Sequence, residues 1–189
     1  MATLTDITKK LKVYNPYALF VTPWLDENTQ GNATYMLDEV IRDTTTITQE
    51  DPTENNIENE FSSAPIVNTV TLGSYTFSAE VADMSPELLN VLCGYDVTET
   101  KAYAPSTYKP LYAEISLVFL AGKDKETSAD KYIAATLPKV QLNSKATLDS
   151  LSSSIGRITL AGTGLNASVD GKQTPFVLDT DFTLPTRPE

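Results

Sequence analysis

The chain has 189 residues, 41% hydrophobic and 21% charged, which suffices for one folded domain with a core and argues against disorder. It has no histidine and one cysteine, Cys93, which excludes an intrachain disulfide, a Cys-based zinc site, a His-ligated metal and the usual nucleophilic triads. The net charge is −11, and the 11 acids between Arg42 and Lys101 account for all of it, because that interval holds no basic residue. An acidic middle disfavours a grip on nucleic acid, which needs cations against phosphates. It does not prevent nucleic acid from passing nearby without sticking.

Residues 1–34 read as an extended N-terminal arm, with aromatics at Tyr14, Tyr17, Phe20 and Trp24 and a short strand at "YALFVT". The first 17 residues carry three lysines but no apolar run, so no secretion signal is expected. No stretch approaches the roughly 20 apolar residues of a membrane helix. "YMLDEVIRDTTTIT", residues 35–48, is rich in β-branched residues and predicts a strand. Pro52 breaks it, and "DPTENN" reads as a loop.

Strand signals resume from Ile57 to Asp83. Val70 and Leu72 alternate with Thr69 and Thr71, and the apolar parity switches at Gly73, as at a turn or bulge. "SPELLNVLCG" is the clearest helix, over residues 85–93. Ser85 suits the N-cap, Pro86 the first turn, Glu87 the positive end of the dipole and Gly94 the left-handed C-terminal stop. "LYAEISLVFL" is apolar on both faces and predicts a doubly buried strand. "KYIAATLPKVQL" predicts another, with Pro138 at a bend or edge. "ATLDSLSSS" predicts a short helix or turn; "IGRITLAGTGL" and "TPFVLDTDFTL" predict two strands. In the last, Phe176, Leu178, Phe182 and Leu184 are expected on one face. The tail 185–189 is expected to be loose. The expected fold is therefore mainly β: one domain over 1–189, an antiparallel sandwich or barrel of about eight strands with one flanking helix.

The candidate sites are weak as chemistry. Glu50, Asp51, Glu54, Glu58 and Glu60 crowd one short stretch, but an EF-hand needs a central glycine that "EDPTENNIENE" lacks. A solvated, mutually repelling loop fits better. A pair of acids for glycoside hydrolysis cannot be singled out among 25. Cys93 lies on the apolar face of the predicted helix and reads as a packed thiol rather than a nucleophile. "GTG" at Gly162–Gly164 lacks the third glycine of a dinucleotide loop and reads as a hairpin glycine pair. No catalytic residue, metal or cofactor is expected.

The order of these features resembles that of phage major tail tube proteins and the inner-tube proteins of contractile injection systems. It carries "DTTTITQED", an acidic stretch, "VTLGSYTFSAEVADMSPELLNVLCG", "LPKVQL" and "IGRITLAGTGL" in turn, over about residues 35–170. The resemblance implies a non-enzymatic virion subunit. It implies hexameric rings that stack into a tube, through which DNA passes without specific binding. Partners would be further copies of the chain, a tape measure protein and tail terminator or initiator proteins, with assembly in the host cytoplasm. The acidic stretch would then meet a neighbouring subunit, pairing with lysines such as Lys9, Lys10 and Lys12. The alternatives are another structural β protein, such as a head decoration or pilus-like subunit, and more remotely an acidic hydrolase.

Overall fold

The computed structural model describes residues 16–59, 62–123, 128–148 and 156–186. In chain order the elements are β1 (Pro16–Pro23), β2 (Tyr35–Leu37), β3 (Thr46–Gln49), β4 (Thr53–Asn59), β5 (Ser62–Thr71), β6 (Tyr75–Val81) and α1 (Pro86–Cys93). There follow β7 (Asp96–Thr98), β8 (Lys101–Tyr103), β9 (Leu111–Lys123), β10 (Asp130–Leu142), β11 (Lys145–Thr147), β12 (Arg157–Gly164), β13 (Ala167–Val169), β14 (Lys172–Thr174) and β15 (Val177–Phe182).

The protein is mainly β, as expected, with one short helix among the described residues. Nine strands form one antiparallel sheet, in the order β2-β1-β9-β10-β12-β6-β3, with β11 beside β12 and β15 beside β10. The sheet does not close into a barrel: its path ends at β2 and β3. The long strand β10 accounts for the branching. Its first half pairs with β15 and its last residues, Val140–Leu142, pair with β12. The register against β9 slips between Leu137 and Val140, at Pro138, which has no N–H to give the ladder.

Most of the core lies on one face. Leu19, Val21, Phe77, Ile115, Leu137, Val140, Ile158 and Leu160 pack there under Leu88, Leu89 and Leu92 of α1. The helix forms as its caps dictate. Ser85 Oγ accepts the Leu88 N–H at 3.4 Å, and Gly94, at φ 70°, donates its N–H to Asn90 O at 2.9 Å. The other face holds a smaller cluster, Ala18, Phe20, Val118 and Ala134, packed against Tyr132, Phe182 and Leu184. β9 is thus apolar on both sides because both sides are covered, as its sequence predicts.

Four expectations need correction. The strand expected at "YALFVT" is present as β1, but it belongs to the main sheet and not to an arm: it lies between β2 and β9, with Leu19 and Val21 in one core and Ala18 and Phe20 in the other. The strand over 35–48 is broken between Leu37 and Thr46. There Asp43 takes φ 63° and Thr44 folds back to Ile41 O, its N–H at 3.4 Å and its hydroxyl at 2.7 Å. Of the loop expected over 51–56, residues 53–56 are strand: they open β4, which continues to Asn59 and pairs with β5. The glycines of "GTG" sit within β12, not in a hairpin. A Cβ at Gly162 would lie 2.4 Å from Val140 Cγ1 and 2.6 Å from Gln141 O, so glycine permits the close approach of β10. Of "ATLDSLSSS", Ala146 and Thr147 end β11, and residues 149–155 lie outside the described part.

Candidate assembly surfaces

The acidic stretch maps to a β-hairpin. β4 and β5 pair with each other, from Thr53↔Thr71 to Asn59↔Ser62, and with no other described strand. A two-stranded hairpin alone in water is marginal at best. Its base is anchored to β6: Glu50 N–H donates to Ser74 O at 2.9 Å, and Ser74 Oγ to Glu50 Oε2 at 2.5 Å. The two chains cross so closely that a Cβ on Gly73 would lie 1.8 Å from Glu50 O. The parity switches here because the chain passes from the exposed hairpin to β6, whose Phe77, Ala79 and Val81 face the core.

The predicted site residues are therefore strung along the hairpin instead of gathered in a loop. Glu50 is tied into the base. Asp51 is exposed at its start, and Glu54 is exposed opposite Val70. Glu58 pairs in register with Pro65. Glu60 and the arm lysines Lys9, Lys10 and Lys12 lie outside the described residues. Val70 and Leu72 are exposed by 58% and 76%, so the hairpin carries apolar side chains beside its acids and buries neither in this chain. Among the described residues no group of three or more acidic or thiol side chains is placed to hold a metal.

A second surface lies beside the C-terminal end of α1. There a groove of about 930 Å³ is bounded by the end of the helix, the β7–β8 hairpin, the segment 103–111 and the chain from Leu142 to Ala146. Tyr103 and Tyr108 line it while remaining 51% and 69% exposed. Lys109 and Lys145 line it too, and neither ammonium makes an ion pair with a described residue. Asp96 is the one acid on its wall. Ser144 Oγ is buried there with no hydrogen-bond partner among the described residues. Cys93 also reaches the groove, but burial pushes its thiol up to about 11, so it stays protonated and unreactive at neutral pH.

The polar end of the sheet's smaller face holds an arrangement that the sequence did not disclose. Lys139 Nζ lies 5.0 Å from the Trp24 ring centre and 4.7 Å from that of Tyr112, and it donates to Glu27 O. Trp24 Nε1 donates to Pro138 O at 3.2 Å. The cation thus clamps the loop after β1 onto the β10 bulge. Next to it, Gln30 Nε2 donates to Glu114 Oε2 at 3.0 Å. Burial raises the Glu114 pKa, and the Gln30 hydrogen bond opposes that rise. These partners are far apart in sequence and have no shared period, so no local signal announces them.

No family model matches the chain, and no curated protein matches it. Among solved structures it is similar to a chain in the cryo-EM structure of the anti-feeding prophage baseplate, 6-fold symmetrised. The identity is 14% and the TM-score 0.36, over 94% of this chain and 97% of the other.

Proposed function

We propose that this chain is a structural, non-enzymatic subunit of a phage-like tail assembly, and specifically a subunit of stacked, hexameric tail-tube rings. The observation that carries the proposal is the β4–β5 hairpin: paired with no other described strand, acidic, and exposing Val70 and Leu72. Such an element is poorly stabilised alone and gains most by burial against another subunit. The open edges of the main sheet at β2 and β3 are a second feature that a neighbouring copy would cover. The proposal extends to the virion tail as location. Its partners would be other copies of the chain, a tape measure protein and terminator or initiator proteins, and DNA would traverse the bore unbound. The net charge of −11 suits a wall that repels DNA.

Negative-stain electron microscopy of the purified protein over a range of concentrations tests it. Rings or stacked tubes with an open centre are expected. Compact trimers would favour a head decoration protein, and monomers at every concentration would overturn self-assembly of the chain.

A further inference from the structure

The groove beside the C-terminal end of α1 has a closed floor. Leu92 and Leu142 lie at its base, 0% and 3% exposed, and Leu111 fills the space against Gly94, where a Cβ would sit 3.2 Å from Leu111 Cδ1. A peptide partner anchors itself by dropping an apolar side chain into an open pocket, and this floor is already filled. The groove presents ring faces and polar groups instead. Tyr108 donates its hydroxyl to Asn143 Oδ1 at 3.5 Å and accepts from Gln141 Nε2 at 3.3 Å. Its ring is pinned at the polar end while the residue stays 69% exposed, and Tyr103, 51% exposed, lines the same groove.

Three further groups on its wall have no partner among the described residues: the Lys109 and Lys145 ammonium groups and Ser144 Oγ. Two cations against the single acid Asp96 make the groove locally positive on a chain of net charge −11. Point charges beside exposed phenol rings match a ligand that carries anionic groups on rings. The C–H face of a sugar ring packs on the negative face of a tyrosine, and its carboxylates accept from ammonium groups. A nucleic acid fits less well, because it brings a phosphate with every nucleotide to an acidic chain that offers two cations here. We propose that this groove binds a short acidic oligosaccharide, with sugar rings on Tyr103 and Tyr108 and carboxylates on Lys109 and Lys145. Binding needs one copy of the chain only, so it stands apart from the ring assembly proposed above.

Isothermal titration of the full chain with trigalacturonate tests it, with maltotriose as the uncharged sugar and tetraglutamate as the acidic peptide. Trigalacturonate should bind saturably, and maltotriose about tenfold more weakly or less, since it lacks the charge-assisted hydrogen bonds. Y108A and K109Q/K145Q should each weaken trigalacturonate about tenfold, whereas Y108F, which keeps the ring, should stay within about twofold of the wild type. Circular dichroism melts of each variant establish that the fold is intact. Amide NMR shifts of the wild type on titration should concentrate at residues 94–96, 103–109 and 142–146, which does not depend on any variant. Tetraglutamate binding as tightly as trigalacturonate, with Y108A without effect, would make this an acidic-peptide site and overturn the sugar. Saturable binding unchanged by both Y108A and K109Q/K145Q would place the ligand outside the groove. Absence of saturable trigalacturonate binding would overturn the proposal outright and leave ring assembly untouched.

Discussion

The β9–β10 hairpin and the β4–β5 hairpin are both antiparallel ribbons, and they are held in different ways. The first is flanked by further strands on both sides, and both of its faces are covered. The second has no described strand beyond either edge and leaves Val70 and Leu72 exposed. Equal hydrogen bonding along the two ladders does not give equal stability. The net worth of a backbone hydrogen bond is small, and burial of apolar area supplies most of the difference. Local opening should therefore be cheap in β4–β5 and close to global unfolding in β9–β10. A marginal element beside a stable one is what a subunit needs if one part must order against a neighbour while the rest is already folded.

The strongest way to sharpen that contrast is to damage the core. Phe77 is 2% exposed under α1, so Phe77→Ala should lower the unfolding free energy by about 3–5 kcal/mol, read by urea denaturation. Next is the joint between the two regions. Gly73→Ala places a methyl against Glu50 O and should cost about 1–3 kcal/mol. Hydrogen exchange should show the loss concentrated in β4 and β5, with β9 and β10 still protected. Equal deprotection of both hairpins would break the claim that they are separate cooperative units.

A smaller effect is expected at the clamp on the polar end of the sheet. Lys139→Met removes the cation between Trp24 and Tyr112 and should cost about 1 kcal/mol. Because Trp24 is the only tryptophan, its fluorescence should shift with the substitution, and an unchanged spectrum would show the loop after β1 to be held by other contacts. The smallest effect is expected at the hairpin surface. Val70→Ser should change monomer stability by less than about 0.5 kcal/mol, because Val70 is 58% exposed. A larger loss would mean that the hairpin is packed against the subunit after all.

Sequence pattern was most informative where each residue's local preference and its tertiary environment agree. Ser85, Pro86, Glu87 and Gly94 mark α1 because caps are local chemistry, settled within a turn of chain. The apolar faces of β9 identified a doubly buried strand for a similar reason. The acidic hairpin was only half legible. Five carboxylates and a proline suggested a loop, because strand formation at Thr53–Asn59 depends on β5, and local propensity carries no information about the partner. The end of the chain misled in another way. Phe176 and Phe182 share a parity, yet Phe176 stacks on Tyr75 in the larger core and Phe182 packs in the smaller one. The register slip between Tyr132 and Ala134 interrupts the alternation that would have kept them together.

The amino-acid sequence by itself determined the absence of histidine chemistry, the acidic middle, the mainly β character and the single capped helix. These follow from composition, from the two-residue repeat of strands and from capping, all of which act over a few residues. Tertiary structure alone decided that β1 joins the sheet and that Lys139 sits between Trp24 and Tyr112. It also decided that Lys109 and Lys145 meet in one groove beside the C-terminal end of α1. Each of these depends on contacts between distant segments, where strand order and register set the outcome and no local period encodes it.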